Sequence, residues 1–167
     1  MLIIFAGLPG VGKTTLAKGL ALKLAAPYIR IDTIEQALLS SHLNIQNIED
    51  AGYVVGYALA KDNLTLGRTV IADSVNPIEL TRQAWRNIAK LCNTKALEVE
   101  VVCSNIAQHK NQAETRIADI KGHLLPTWQK IITREYTAWN RNRIIIDTAD
   151  KTASECIEEL VEKIQSD

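Results

Sequence analysis

The sequence predicts a three-layer α/β fold, in which helices cover both faces of a five-stranded parallel sheet. Short apolar, β-branched segments alternate along the chain with segments of helical periodicity. A glycine-rich segment at residues 7–12 joins the first predicted strand to the first helix. Three predicted strands deliver an aspartate at their carboxyl ends, at Asp32, Asp73 and Asp147. Because parallel strands of an open α/β sheet end at one edge, we expect the functional site at that edge.

The first third of the chain alternates strand and helix. Residues 2–6 form a short apolar run typical of a buried strand, and residues 15–24 place apolar side chains at helical spacing. Residues 28–31 predict a second strand, followed by a helix over 33–40 and a polar loop over 43–49.

A longer helix is predicted over residues 50–66, where Gly52 and Gly56 lie one turn apart and favour close packing against another helix. A third strand follows at 69–73. Asn76 as N-cap and Pro77 at the first helical position then predict a helix through residue 91. The side chains expected on its inward face are Leu80, Ala84, Ile88 and Leu91.

The last third predicts two strands and three helices. Residues 95–103 alternate apolar and polar, and Asn105 is a candidate cap for a helix through Ile120. Gly122 interrupts the helical pattern, and a further helix is predicted over 124–139. A fifth strand at 143–147 precedes Thr152-x-x-Glu155, a capping box. The apolar stripe of the last helix is Ile157, Leu160, Val161 and Ile164.

The segment from Gly7 to Thr14 fits G-x-x-x-x-G-K-[ST], the phosphate-binding loop (P-loop), and it has the strand and helix flanks that the motif requires. Glycines let the backbone curl its N–H groups toward phosphate oxygens, and the helix start adds the positive end of its dipole. Lys13 supplies a positive charge for the β- and γ-phosphates, and the Thr14 hydroxyl is a ligand for Mg²⁺. The residues expected at the phosphates are Gly7, Leu8, Pro9, Gly10, Val11, Gly12, Lys13, Thr14 and Thr15.

Length and composition indicate one ordinary domain spanning residues 1–167. The formal net charge is zero, which argues against nucleic acid or an anionic membrane as partner. The three cysteines are far apart and suggest neither a disulfide framework nor a zinc site. No leader peptide and no apolar run of about 20 residues is found, so we expect a cytoplasmic protein.

The aspartates at the strand ends have two interpretations each. Asp73 is the candidate ligand for Mg²⁺, directly or through water, or else a cap for the helix that follows. Asp32 is the candidate general base for an acceptor hydroxyl, a role worth about 10²–10⁴ in rate, or else the cap of the helix beginning at Thr33. Asp147 is interpreted as structural, with its loop close to the adenine.

Positive charges after the fourth strand suggest a lid over the phosphates. Lys110, Arg116 and Lys121 lie in this region, and Arg116 shares a helical face with His109 and Gln112. The alternative is a solvated helix. Arg82 and Arg86 would bind an anionic acceptor or lie in solvent. No role is assigned to any histidine.

With these residues placed, the chain resembles the small P-loop kinases, such as the shikimate, gluconate and adenylylsulfate kinases, chloramphenicol phosphotransferase and the zeta toxins. The resemblance implies ATP as phosphoryl donor with Mg²⁺, Lys13 and Thr14 as their ligands, Arg116 as a lid charge and Asp32 as the acceptor-side base. It places the lid at residues 105–130 and the acceptor region at 33–66. The lid here carries fewer arginines than related lids often do.

Three functions remain open on the sequence alone. The first is a kinase that phosphorylates a hydroxyl of a small molecule, for which few positive charges in the acceptor region favour a neutral or weakly polar compound. The second is a nucleoside or nucleotide kinase, with a base stacked near Tyr53 or Tyr57. The third is a non-catalytic ATP-binding module. The pattern selects neither one acceptor nor an oligomeric state.

Overall fold

A computed structural model describes residues 1–42, 45 and 47–166 of the chain. Its sheet has five strands: β1 (Leu2–Ala6), β2 (Tyr28–Arg30), β3 (Val70–Asp73), β4 (Ala96–Val102) and β5 (Ile144–Asp147). The helices are α1 (Lys13–Leu24), α2 (Ile31–Leu39), α3 (Ala51–Thr65), α4 (Glu79–Leu91), α5 (Ile106–Thr115), α6 (Trp128–Ile132) and α7 (Ala153–Ser166). The predicted loop at 43–49 contains Leu43, Asn44 and Gln46, which lie outside the described residues.

The strands are ordered β2-β3-β1-β4-β5, and each neighbouring pair is parallel. The predicted fold class is therefore confirmed. β3 lies directly beside β1, with Phe5 in register with Asp73. This pairing places the end of β3 next to the loop that follows β1, at a topological switch point of the kind where α/β proteins bind their ligands.

The core is divided between the two faces of the sheet because side chains alternate along β1. Ile3 and Phe5 pack with α1 and α7, including Leu16, Leu20 and Leu160. On the opposite face, Leu2 and Ile4 pack with residues of α3 and α4, among them Ala60, Leu64 and Trp85. Within the described residues, no helix is long and apolar enough to cross a membrane.

The helix α4 differs from the prediction in both its start and its buried face. It begins at Glu79, and Asn76 instead lies in the preceding loop with φ 46°, where its side-chain amide donates a hydrogen bond of 2.8 Å to the Phe5 carbonyl. Leu80 and Leu91, which were expected inward, are 75% and 72% exposed. Trp85 is fully buried in their place.

Two arginines explain this rotation of α4. Arg82 is fully buried, stacks 3.9 Å from the Trp139 ring and donates to the carbonyls of Asn76 and Thr137 at 2.9 Å. Arg86 is also buried and forms ion pairs with Glu79 and Glu98. Both predicted roles, anion binder and solvent charge, are therefore wrong for these residues, which bind the helix to its neighbours.

The segment after β4 is less helical than predicted. Asn105 caps α5 by accepting a hydrogen bond from the Gln108 backbone N–H at 3.1 Å, as expected. The helix then ends at Thr115 rather than at residue 120, and α6 spans only five residues. Residues 116–127 form an irregular segment between them.

Two local predictions are confirmed in detail. Glu155 and Thr152 form the capping box of α7, in which the Thr152 backbone N–H donates to the Glu155 carboxylate at 2.7 Å. Gly52 and Gly56 lie where α3 packs on α2. A Cβ atom at Gly56 would come within 2.5 Å of Ile31 Cδ1, so the two helices approach closely only because glycine is present.

Candidate functional site

A cleft of about 780 Å³ opens at the carboxyl edge of the sheet. Its floor is the P-loop and the start of α1. One wall is formed by α2 and α3, and the opposite wall by the end of α5 and the irregular segment that follows it. The cleft therefore continues beyond the P-loop into the region that the sequence suggested for an acceptor.

The P-loop is shaped by glycines in backbone conformations that other residues rarely adopt. Gly7, Gly10 and Gly12 have φ of 141°, 90° and 90°. A Cβ atom at Gly7 would lie 2.4 Å from the Val101 carbonyl oxygen, and one at Gly10 would lie 2.9 Å from Ala113 Cβ. The loop is thus tightly enclosed by β4 and α5, in the kind of cradle whose backbone N–H groups bind phosphate.

Lys13 and Asp73 form a buried ion pair at the floor of the cleft. The Lys13 Nζ atom lies 2.5 Å from Asp73 Oδ1, and the Tyr28 hydroxyl donates to Oδ2 at 2.6 Å. Asp73 is only 1% exposed. Burial alone would raise the pKa of its carboxyl group, but the charge of Lys13 and the hydrogen bonds from Lys13, Tyr28 and Thr14 outweigh burial and lower it. The carboxylate is therefore ionised at neutral pH.

These residues fit the Mg²⁺ ion that the P-loop motif implies. The Thr14 hydroxyl and the Asp73 carboxylate lie together and offer hard oxygen ligands, which Mg²⁺ prefers. Within the described residues no group of three or more His, Cys, Asp or Glu side chains could hold a metal ion. Phosphate oxygens and water would have to complete the coordination, as is usual for Mg²⁺. Asp73 does not cap α4, whose N-cap residue is Ile78.

Asp32 lies on the wall of the cleft, in the first turn of α2. The helix begins at Ile31 with Arg30 as its N-cap residue, and no side chain makes a cap hydrogen bond. The predicted alternative, a helix cap at Asp32, is therefore not found. One carboxylate oxygen of Asp32 lies 3.5 Å from the Arg30 guanidinium, and the side chain is 32% exposed. Its carboxylate is accessible from the cleft.

Arg116 lies on the opposite wall. It is half-buried at the end of α5, where burial lowers its pKa while the charge of Asp32 opposes that effect. Among the described residues its guanidinium makes no ion pair, although Asp32 and Asp119 lie within electrostatic range. Lys110 and Lys121 are exposed and do not line the cleft. Only Arg116 of the three predicted lid charges reaches it.

The irregular segment 116–127 is attached to the body of the protein by Asp119. Its carboxylate accepts hydrogen bonds from Arg30 at 2.8 Å and from Lys18 at 2.6 Å. These hydrogen bonds hold the pKa of Asp119 well below its usual value. Asp119 was not singled out by the sequence, because an isolated acid in a polar segment carries no pattern.

His109, to which the sequence assigned no role, is a second residue that supports the site. It is buried at 7% exposure, its Nε2 atom lies 2.9 Å from the Pro9 carbonyl oxygen, and its ring meets Trp128 edge-on with 5.0 Å between centroids. Since a carbonyl oxygen only accepts, Nε2 is the protonated nitrogen. His109 therefore connects the P-loop to α5 and α6. Gln112, on the same helix, lines the cleft beside Arg116.

The loop after β5 supports the P-loop from the other side. The Asp147 carboxylate accepts backbone hydrogen bonds from Ser104 and Ala149, both at 3.0 Å, so its predicted structural role is confirmed. The Thr148 hydroxyl, which the structure places against the loop, donates to the Val11 carbonyl at 3.0 Å.

The acceptor end of the cleft is lined by Glu35, Tyr53 and Ser74, together with Arg134 from beyond α6. Tyr57 is not among its lining residues. Its ring packs edge-on against Trp85, with 4.6 Å between centroids. The sequence did not identify Arg134, because it lies about 100 residues after Glu35 along the chain and only the fold brings the two together.

Comparisons with known proteins find similar sequences and similar folds. The family model described as "Chromatin associated protein KTI12" matches residues 1–166. A protein of Pyrococcus abyssi named "Putative adenylate kinase" is 27% identical over 172 residues, covering 99% of this chain and 85% of that protein.

Two solved structures show the same fold. One, titled as a "putative kinase" from Chloroflexus aurantiacus, has a TM-score of 0.75 at 20% identity and covers 99% of this chain and 96% of its own. The other is Chaetomium thermophilum Kti12 in complex with ADP-AlF3, which has a TM-score of 0.67 at 22% identity and covers 97% of this chain and 98% of its own. The resemblance to small P-loop kinases is thereby confirmed for the fold.

Proposed function

The chain belongs to the family described as chromatin associated protein KTI12, and from this premise we propose that it is an ATP-dependent kinase that transfers the γ-phosphoryl group to a hydroxyl of a small molecule. The solved structures that it resembles share its fold, and one of them, Kti12 of Chaetomium thermophilum, has been solved in complex with ADP-AlF3. The observation that carries the proposal is the extension of the cleft past the P-loop to Asp32, Glu35 and Tyr53. A nucleotide alone would not require that space.

The proposed roles follow from where the side chains lie. The P-loop and Lys13 would hold the β- and γ-phosphates, and Arg116 would neutralise charge on the transferred group from the opposite wall. Thr14 and Asp73 would hold Mg²⁺, which would supply further charge neutralisation when bound. Asp32 would orient the acceptor hydroxyl and accept its proton.

The proposed reaction balances as follows. The acceptor oxygen bonds to the γ-phosphorus, the bond from that phosphorus to the β–γ bridging oxygen breaks, and ADP leaves with the electron pair. The hydroxyl proton passes to Asp32. Residues 116–127 would limit the access of water to the cleft. The free cysteines of the described chain are consistent with the cytoplasm as the compartment.

A second candidate, an ATP-binding or ATP-hydrolysing module without a small-molecule acceptor, is favoured by the family itself, whose description names no enzyme. A nucleoside or nucleotide kinase is the third possibility, supported by the name of the Pyrococcus protein and by Tyr53 at the acceptor end. The three candidates differ in what ADP release requires. The small-molecule kinase requires an added hydroxyl compound, the ATP-hydrolysing module requires nothing beyond ATP, and the nucleoside or nucleotide kinase requires a nucleoside or nucleotide.

The test is ADP release from Mg-ATP across a panel of nucleosides, nucleotides, sugars, hydroxy acids and amino alcohols. Lys13→Ala and Asp32→Asn are compared with wild type, and Asp62→Asn, an exposed acid on α3, serves as the matched control. We expect one class of acceptor to raise ADP release, with loss in Lys13→Ala and a fall of about 10²–10⁴ in Asp32→Asn. Tight ATP binding with no response to any acceptor would instead favour the ATP-binding module.

A further inference from the structure

We propose that the acceptor is a hydroxyl compound that carries an ammonium group, and that Glu35 binds this group at the far end of the cleft. The inference rests on the proposed kinase function and names its substrate class. It also revises the expectation of a neutral or weakly polar acceptor. That expectation was based on the small number of positive charges between residues 33 and 60, and it did not consider an acid placed in the cleft without a partner.

Glu35 lies one helical turn beyond Asp32, on the face of α2 that lines the cleft. It is half-buried, and among the described residues its carboxylate makes no hydrogen bond and no ion pair. Burial raises the pKa of this carboxyl group first, and the nearby negative charge of Asp32 raises it further. A half-buried acid that is unpaired and next to a second acid is stabilised by any cation that enters the cleft.

Gly52 makes the position of Glu35 specific. A Cβ atom on Gly52 would lie 2.4 Å from Glu35 Cγ and 3.0 Å from its carboxylate oxygen Oε1. The Glu35 side chain therefore occupies a space on α3 that exists only because residue 52 is glycine. An acid that simply extended into solvent from α2 would not need this space. Helix α3 thus fixes the carboxylate against the cleft wall.

The charges already present explain why the missing partner is a cation. Lys13 is neutralised by Asp73, and Arg30 by Asp119 and Asp32. Arg116 lies on the opposite wall, where the acids that act on it are Asp32 and Asp119 rather than Glu35. Arg134 is the positive charge that acts on Glu35, but it is exposed and forms no ion pair with it among the described residues. Water screens such an exposed charge strongly, so Arg134 compensates Glu35 only weakly.

A second buried polar group lies at the same end of the cleft. The Ser74 hydroxyl lines the cleft, is only 2% exposed and has the Tyr53 phenol as its hydrogen-bonding neighbour; a hydroxyl oxygen that shares one hydrogen bond can still accept another. Ammonium and hydroxyl groups are donors, and together they would satisfy Glu35 and Ser74. An amino alcohol or amino sugar presents both, with a further hydroxyl available for Asp32.

The experiment compares matched pairs of compounds that differ only in an amine: glucosamine with glucose, and serinol with glycerol. Binding to the ATP-loaded protein is measured by calorimetry with a non-hydrolysable ATP analogue, and turnover is measured as ADP release with Mg-ATP. Wild type is compared with Glu35→Gln, Gly52→Ala and the control Asp62→Asn. Glu35→Gln removes one negative charge from α2 and Asp62→Asn removes one from α3, but only Glu35 lines the cleft.

We expect the aminated member of at least one pair to bind at least about 10-fold more tightly to wild type, which corresponds to about 1.4 kcal/mol. Glu35→Gln should abolish this preference, Gly52→Ala should reduce it by displacing Glu35, and Asp62→Asn should keep it. A preference for the neutral member, or a preference for the amine that persists in Glu35→Gln, would overturn the proposed subsite. ADP release with a neutral acceptor would then leave the kinase itself standing. An amine preference in binding without ADP release would support the subsite, and together with no response across the wider acceptor panel it would overturn the kinase function.

Discussion

The Nζ atom of Lys13 lies 2.5 Å from Oδ1 of Asp73, so the P-loop lysine is bound to the carboxyl end of β3. The pairing of β1 with β3 brings the two residues together, although they are 60 positions apart. A nucleotide phosphate would compete with Asp73 for the same ammonium group. The ion pair therefore has a structural role and a functional one, and these can be separated.

Removing one partner of the pair should cost more stability than removing both. Lys13→Ala would leave the Asp73 carboxylate buried without its main compensating charge, and we expect a loss of about 3–5 kcal/mol in the free energy of unfolding. Lys13→Ala combined with Asp73→Asn should recover a large part of this loss while remaining unable to bind ATP tightly. Urea unfolding of the nucleotide-free proteins measures the change in stability, and calorimetric titration with ATP measures the loss of affinity. Equal stability of Lys13→Ala and wild type would contradict the role of the pair.

The Tyr28 hydroxyl should stabilise the same carboxylate. Tyr28→Phe removes the 2.6 Å hydrogen bond to Asp73. Because hydrogen bonds to charged groups are worth about 1.5–3 kcal/mol, we expect the free energy of unfolding to fall by about that amount. Tyr57→Phe is the control, since its hydroxyl makes no hydrogen bond among the described residues.

The difference in unfolding free energy between wild type and Tyr28→Phe should depend on pH. The pKa of Asp73 is lower in the folded protein than its ordinary value of 3.8, so its contribution to stability is complete above that value and is lost as the pH falls through the folded pKa. The difference in unfolding free energy between wild type and Tyr28→Phe should thus be constant from pH 5 to 8 and should shrink below about pH 4. A difference that grows in acid would contradict the contact.

Much of the fold could be predicted from the sequence because its signals are local. The apolar strands, the P-loop and the Thr152–Glu155 capping box each depend on residues within a few positions of one another. The alternation of strands and helices then leaves few topologies, because parallel crossovers are right-handed. The same reasoning placed Asp32 and Asp73 at one edge of the sheet.

The errors occurred where distant residues decide the outcome. Apolar spacing alone placed Leu80 and Leu91 inward on α4. The buried face is instead the one bearing Arg82, because Trp139 and the Thr137 carbonyl, more than 50 residues later, receive its guanidinium. Helical periodicity beyond Thr115 was likewise misleading: the helix ends there, and Asp119 in the irregular segment binds Arg30 and Lys18, which are distant in sequence.

Asp119 should restrain the segment 116–127 without contributing much to global stability. The Lys18 and Asp119 side chains are about half exposed, and the buried Arg30 keeps Asp32 as a partner, so Asp119→Asn should change the melting temperature little. It should, however, increase trypsin cleavage after Arg116 and Lys121 several-fold, because the segment loses its attachment to α1 and β2. Asp150→Asn, an exposed acid near α7, is the control. Cleavage of wild type should also rise in 1 M salt, where the Debye length falls to about 3 Å. No change in cleavage with either Asp119→Asn or salt would contradict this attachment.

His109 should control nucleotide affinity through the backbone of the P-loop. Its Nε2 atom is 2.9 Å from the Pro9 carbonyl oxygen, and its ring contacts Trp128. His109→Phe keeps an aromatic ring against Trp128 but leaves this carbonyl without its donor, so the peptide that leads into Gly10 is free to reorient. A neutral hydrogen bond is worth about 0.5–1.5 kcal/mol, which predicts a Kd for ATP that is about 2–10-fold weaker. His42→Phe, at an exposed position before α3, should leave the Kd unchanged.

Calorimetric titration with ATP measures the Kd of both variants. An unchanged melting temperature for nucleotide-free His109→Phe would show that the loss of affinity arises at the P-loop. If His109→Phe bound ATP as tightly as wild type, the Pro9 contact would have no part in positioning the P-loop, and the buried histidine would serve only to pack α5 against α6.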